Sequence, residues 1–276
     1  MTVGLNSGLK EVERKKLNAV VVLDISGSME SGFSRYYYDR FGNRQEVENP
    51  TDRKKMEVAT DVVASMTEHL NEDDRFGMVV FNGDAAVAKP VRKVGETDMD
   101  AIRGHIRELQ AGGGTRMSAG MAEATRMLRN YTDADRSEYE NRMVFITDAM
   151  PNLGDTDEDS LLGRMEENAE DSIHTTFVGM GVDFNTEIVE EITSVRGANY
   201  FSVGSAEQFE DRMDENFEYM VTPLVYNLEL EVESDGYEIE KVYGSTAADE
   251  ATGEIMRVKT LFPSPRKTAR REASSW

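Results

Sequence analysis

Apolar and polar positions alternate along this chain in two rhythms. Up to residue 222, short runs that are apolar on both faces take turns with longer segments whose apolar residues recur every three or four positions. The short runs fall at 18–24 (NAVVVLD), 75–81 (RFGMVVF), 143–147 (MVFIT), 173–178 and 199–202, with a brief edge strand predicted at 85–89, ending at Pro90. Strands apolar on both faces suit a parallel sheet covered by helices. The longer segments predict helices over 53–70, 99–109, 117–130, 157–170, 186–194 and 206–221. In the first of these, Met56, Ala59, Val63, Met66 and Leu70 share a face; in the second, Ile102, Ile106 and Leu109 do. Strand and helix in alternation predict an α/β fold, a doubly wound, mostly parallel sheet of Rossmann-like kind flanked by helices.

After Pro223 the period becomes two. Leu224, Tyr226, Leu228, Leu230 and Val232 alternate with Val225, Asn227, Glu229, Glu231 and Glu233, giving one dry and one acidic face. Further strands are predicted over 237–243 and 254–262, a short antiparallel β segment with too few strands to stand comfortably alone. The expected organisation is therefore an N-terminal segment (1–17), an α/β domain (18–222), a partial β domain (223–265) that is either truncated or completed by the first 17 residues, and a basic, disordered tail (266–276).

Composition narrows the function. The net charge is −22 over 276 residues, with a pI near 4.6. Such a surface repels nucleic acid and anionic membranes, since phosphate binding needs clustered Lys and Arg. Acidic residues are dispersed along amphipathic segments, and Lys is scarce, 10 against 21 Arg. That pattern fits a salt-loving organism, where ionic strength screens self-repulsion. The absence of cysteine removes disulfides, zinc–thiolate sites, iron–sulfur clusters and cysteine nucleophiles. No stretch reaches the roughly 18 apolar residues of a membrane helix, and residues 1–16 lack an apolar signal core. With Met1 as the start, the expectation is a soluble, cytoplasmic protein.

The candidate chemistry sits where strands end. VVVLDISGSME delivers Asp24, Ser26 and Ser28 into one tight loop, three hard oxygen groups within five residues. Hard oxygens suit Mg²⁺, Mn²⁺ or Ca²⁺; the stretch by itself fits an ordinary Asp/Ser/Gly turn equally well. The glycine run 112–114 precedes Thr115 at the start of a helix, without the GK[ST] of a phosphate-binding loop. Its glycines let the backbone approach closely and place the Thr115 hydroxyl. The run 143–147 ends in Asp148. In a parallel α/β sheet, ligands bind at the carboxyl ends of the strands, which is where Asp24, Ser26, Ser28, Thr115 and Asp148 would all lie. Residues 31–52 have no period and read as a long loop, carrying Phe33, Tyr36, Tyr37, Tyr38 and Phe41 among Arg35, Arg40 and Arg44. Aromatics with arginine are favoured at protein interfaces; a flap packed on its own aromatics fits the same residues.

Taken in order, Asp24-Ile25-Ser26-Gly27-Ser28, Gly113-Gly114-Thr115 and Ile146-Thr147-Asp148 resemble the three motifs of the metal-ion-dependent adhesion site of a von Willebrand factor type A domain, over residues 18–222. The resemblance implies that Ser26 and Ser28 ligate a divalent metal through their hydroxyls, that Thr115 does so directly or through water, and that Asp24 and Asp148 act mostly through water or by orienting the serines. It implies a non-enzymatic protein-binding module in which a partner Asp or Glu carboxylate completes the shell of Mg²⁺ (or Mn²⁺ or Ca²⁺). The family is broad in prokaryotes, where some members work with AAA+ ATPases of the MoxR type or in magnesium-chelatase-like complexes. Ala149, Arg116 and Met117 depart from the common pattern at positions that are not ligands, so they bear on partner choice. Phe33, Tyr36, Tyr37, Tyr38 and Phe41, beside the site, are the candidate partner contacts.

An Mg²⁺-dependent phosphohydrolase is the enzyme alternative, since an Asp ending a first strand also suits phosphoryl transfer. The haloacid dehalogenase pattern needs a second Asp where Ser26 stands. Neither serine has the GxSxG context of a hydrolase, and His69, His105 and His174 are scattered.

Overall fold

A computed structural model describes residues 14–33, 36–38, 43–46, 52–149, 156–181, 186–214, 216–233, 240–242, 248 and 253–263. Strand β1 (Lys16–Asp24) is followed by a 3-10 turn at Gly27–Glu30 and a short ladder of β2 (Tyr36–Tyr38) with β3 (Arg44–Glu46). Next come α1 (Lys55–Met66), β4 (Arg75–Phe81), β5 (Ala85–Lys93), α2 (Met99–Arg107), α3 (Met117–Leu128), β6 (Tyr139–Thr147), α4 (Thr156–Glu170), β7 (Ile173–Met180), α5 (Thr186–Ser194) and β8 (Asn199–Val203). Helices α6 (Ala206–Met213) and α7 (Phe217–Val221) lead to β9 (Val225–Glu231) and β10 (Glu254–Leu261).

The central sheet has the order β5-β4-β1-β6-β7-β8, parallel throughout except for β5. It is the doubly wound architecture that the alternation predicts. Side chains of β1 divide by parity: Leu17, Ala19, Val21 and Leu23 enter one core with α1, α6 and α7, while Val20 and Val22 enter another with α3 and α4. A strand covered on both faces has no polar face to show, which is why VVVL reads as a continuous apolar run. From β1 the chain crosses to β4 on one side and later returns to β6 on the other. The carboxyl ends of β1 and β6 therefore flank the point where strand order reverses, the usual place for a ligand in such sheets.

Four expectations are corrected. The edge strand continues through Pro90 to Lys93, because the register slips between Phe76 and Val79 and the proline falls in that irregularity on an edge. Residues 31–52 are not structureless: Tyr36–Tyr38 pair with Arg44–Glu46, and Gly32 bridges Lys54. The helix expected over 206–221 is two helices, with the Asn216 side chain bonded to the Asp211 carbonyl at 2.9 Å where the first gives way. Asn side chains compete in this way with helical hydrogen bonds. The break lets Phe209, Met213, Phe217 and Met220 all enter one core. Residues 240–242, inside the strand expected over 237–243, have no regular structure. Residues 1–13 and the tail from 264 lie outside the described residues.

Strands β9 and β10 form an antiparallel pair whose exposure alternates along β9. The pair is fastened to the amino-terminal edge of the sheet. The Tyr226 hydroxyl lies 3.2 Å from both Glu140 oxygens, and Thr260 Oγ1 accepts from the Gly197 N–H at 2.6 Å.

Candidate metal centre at the carboxyl edge of the sheet

Asp24 ends β1 and is fully buried. Each carboxylate oxygen accepts a hydrogen bond from a different segment: Oδ1 from the Ser26 N–H at 2.7 Å, Oδ2 from the Thr147 hydroxyl at 2.5 Å. Burial pushes the Asp24 carboxyl above the ordinary range; the bonds from Thr147 and Ser26 oppose that, and the neighbouring Asp148 adds to it. With both oxygens engaged, Asp24 shapes the loop: it holds the first turn after β1 and ties it to the end of β6.

Ser26 precedes the 3-10 turn, but its hydroxyl makes no capping bond. It instead stands 3.1 Å from the Ser28 hydroxyl. Ser28 Oγ donates to Asp148 Oδ1 at 2.6 Å, and the Asp148 side chain is 1% exposed. Asp148 follows the last residue of β6, as Ser26 closely follows β1, so the parallel β1–β6 register brings the two loops together. Two hydroxyls and two carboxylates thus converge on one edge.

The glycine loop closes on them from the β4 side. Gly112 N–H donates to the Ile25 carbonyl at 2.7 Å, Gly27 N–H to the Gly113 carbonyl at 3.1 Å, and the Asn82 amide to the Gly112 carbonyl at 2.9 Å. Gly113 has φ +89°, and a Cβ there would meet Asn82 Nδ2 at 3.0 Å, so both backbone and space call for glycine. Thr115 follows on this loop, exposed, and its hydroxyl makes none of the hydrogen bonds that link Asp24, Ser26, Ser28 and Asp148.

The aromatic insert divides. Phe33 is buried in the core cluster with α1, its ring spent on packing. Tyr36, Tyr37 and Tyr38 lie on β2, their side chains outside the described residues, as is Phe41.

Three residues at the site were given no role by sequence reading. Thr147 was legible in principle, as a hydroxyl directly before the strand-terminal aspartate. Asn82 stands after β4 much as Ile25 stands after β1. Lys55, whose Nζ donates to Asp148 Oδ2 at 2.9 Å, comes from 93 residues away, and only the fold brings it there.

The donor set is all oxygen. Among the described residues, no group of three or more His, Cys, Asp or Glu side chains could hold a metal. Any ion here would rest on hydroxyls and two carboxylates, the chemistry of a hard cation that keeps several waters. The residues present fit such an ion. None of the three histidines belongs to the cluster: His174 pairs with Glu140 at the opposite edge and His69 with Asp214, while His105 lies on α2.

Residues 19–150 match the family profile described as von Willebrand factor type A domain. Among solved structures, a von Willebrand factor type A protein from Catenulispora acidiphila is similar over 78% of this chain and 45% of its own, at 17% identity and a TM-score of 0.56. The conserved hypothetical protein BatB from Bacteroides thetaiotaomicron is similar over 74% of this chain and 98% of its own, at 18% identity and a TM-score of 0.52. Proximal thread matrix protein 1 from the mussel byssus, in a form with a zinc-occupied metal-ion-dependent adhesion site, covers 73% of this chain and 47% of its own, at 13% identity and a TM-score of 0.52. This chain thus spans under half of the first and third of these proteins. Residues 19–150 carry the von Willebrand factor type A match, and the doubly wound sheet built around them is the fold these structures share.

Proposed function

We propose that the carboxyl edge of the sheet is a divalent-cation-dependent protein-binding site. Ser26, Ser28 and Thr115 would supply hydroxyl ligands, with Asp24 and Asp148 orienting them or acting through water. Mg²⁺ fits the all-oxygen set, with Mn²⁺ or Ca²⁺ as close substitutes. Bound there, the ion supplies a cationic centre that an Asp or Glu carboxylate of a partner can complete.

One observation carries this reading: the unbroken chain Asp24–Ser26–Ser28–Asp148, drawn from two strand ends and held in place by Thr147 and the glycine loop. A bare Asp/Ser/Gly turn needs no second aspartate from a strand 120 residues on. The zinc-occupied site of the byssal protein, on the same fold, adds support. Binding rather than hydrolysis is the favoured reading because Ser26 stands where the haloacid dehalogenase pattern needs a second Asp. The tyrosines of β2 are the proposed partner contacts, and an AAA+ ATPase is one partner class of this kind.

Calorimetric titration of Mg²⁺ into wild type and Asp148→Ala in molar KCl tests the proposal. Saturable binding lost in the variant is the expected result. Equal titration of both proteins, or none by wild type even with acetate present, would remove the metal from the reading.

A further inference from the structure

Lys55 is the first residue of α1, where a positive charge opposes the helix dipole. It is nevertheless held firmly. Its ammonium donates to Asp148 Oδ2 at 2.9 Å, and the side chain is 12% exposed. Its stem lies against Gly181 at the end of β7: a Cβ on Gly181 would stand 2.9 Å from Lys55 Cε and 3.7 Å from the Phe33 ring. The slot therefore has room for the lysine because position 181 has no side chain. Helix α1, the tip of β7 and the buried Phe33 together aim one cation at a carboxylate of the candidate metal site.

We infer that Lys55 couples metal binding to anion binding, so that the site holds its ion weakly until a partner carboxylate arrives. This rests on the proposed metal-dependent reading and adds a regulatory residue to it. Charge counting gives the reason. Asp24 accepts a hydrogen bond at each oxygen, as an ionised carboxylate does. Asp24 and Asp148 together would neutralise a divalent ion. With Lys55 added, the loaded site carries one net positive charge, and a single carboxylate restores neutrality. Lys55 thus competes with the ion for Asp148 and favours an incoming anion. Linkage makes the effect reciprocal: an anion tightens the metal as much as the metal tightens the anion.

The neighbouring Lys54 provides a control with the same change in net charge. It is exposed and pairs with Glu30 at 2.5 Å, away from Asp148. Mg²⁺ would be titrated calorimetrically into wild type, Lys55→Met, Lys54→Met and Asp148→Ala, in potassium chloride and in potassium acetate at equal ionic strength. Lys55→Met is expected to bind Mg²⁺ about tenfold more tightly than wild type in chloride, within the usual span of site-to-site coupling. Lys54→Met should match wild type. Acetate should tighten Mg²⁺ on wild type and leave Lys55→Met nearly unchanged. Equal or weaker Mg²⁺ binding by Lys55→Met, or the same acetate effect in both, would overturn the coupling while wild-type binding lost in Asp148→Ala keeps the metal site standing. No Mg²⁺ binding by wild type in either salt would overturn both.

Discussion

Strand β6 carries two buried polar clusters, one at each end, and they are built on opposite terms. At its start, Glu140 and Arg142 meet His174 of β7 and Tyr226 of β9. Arg142 is fully buried and donates to Glu140 Oε1 at 2.6 Å and to the Gly197 carbonyl at 2.7 Å. Glu140 Oε1 also lies 2.7 Å from His174 Nδ1, and the Phe262 ring sits 5.5 Å from the guanidinium. There Glu140 is paired directly with Arg142, Arg196 stacks on the Tyr226 ring, and the β9–β10 pair covers the cluster. At its end, Thr147 and Asp148 face Asp24, Ser26 and Ser28, where, among the described residues, acceptors outnumber cations and Lys55 is the cation in contact. A cluster that closes its own charge balance has no need of a ligand. One that leaves hydroxyl lone pairs and two carboxylates converging is suited to receive a cation. The first should govern stability and the second binding, which the following changes would break or sharpen.

Arg142→Met should have the largest effect, since it strands a buried Glu140. Removing one partner of a buried pair costs about 3–5 kcal/mol, read as a fall in urea midpoint. A loss below about 1 kcal/mol, the range of exposed pairs, would show that the network is not the structural member of the two.

Acid should come next. Burial alone would raise the Glu140 carboxyl, but the Arg142 charge and the His174 hydrogen bond outweigh it and hold the group at about 2. Burial lowers His174, which the bond to Glu140 only partly offsets. Its Nε2 is buried without a hydrogen-bond partner and faces Gly197, so a proton there has nowhere to donate. Both folded values lie below the unfolded ones. Their stability is therefore present above about pH 6.5 for His174 and 4.5 for Glu140, and is lost as pH falls through the folded values. Unfolding free energy should drop by roughly 3 kcal/mol between pH 5 and pH 2 from Glu140. A flat profile over that interval would contradict the pairing.

Gly197→Ala should follow. A Cβ there would stand 2.1 Å from His174 Cδ2, on a backbone with φ +77°. Crowding of this kind costs about 1–3 kcal/mol, and metal titration of the folded fraction should be unaltered.

Ser26→Ala should do the reverse. Its hydroxyl contacts Ser28 Oγ and adds a bond to the Asp24 carboxylate, so stability should change by about 1 kcal/mol. Mg²⁺ affinity should fall at least tenfold, ~1.4 kcal/mol. A stability loss with metal affinity kept would exchange the roles assigned to the two ends of β6.

Much of the candidate site was legible because its residues sit next to strand ends. Asp24, Ser26, Ser28 and Asp148 follow apolar runs directly, and parallel pairing of β1 with β6 does the rest. The aromatic insert was less legible. Phe33 reads like its tyrosine neighbours, yet it packs into the core, because only the fold shows that α1 leaves a slot beside it. The Glu140–Arg142–His174 network was not legible at all. Charged residues at the start of a strand look like a solvated rim until β9 returns 86 residues later to cover them.

By itself the sequence determined the α/β class, the order of the elements and the oxygen-rich strand ends, because periodicity and local turn chemistry act over a few residues. The tertiary structure alone decided where Lys55 points, that Phe33 is buried and which charges are closed off. Those depend on contacts between residues far apart in the chain, where burial and pairing outweigh local propensity.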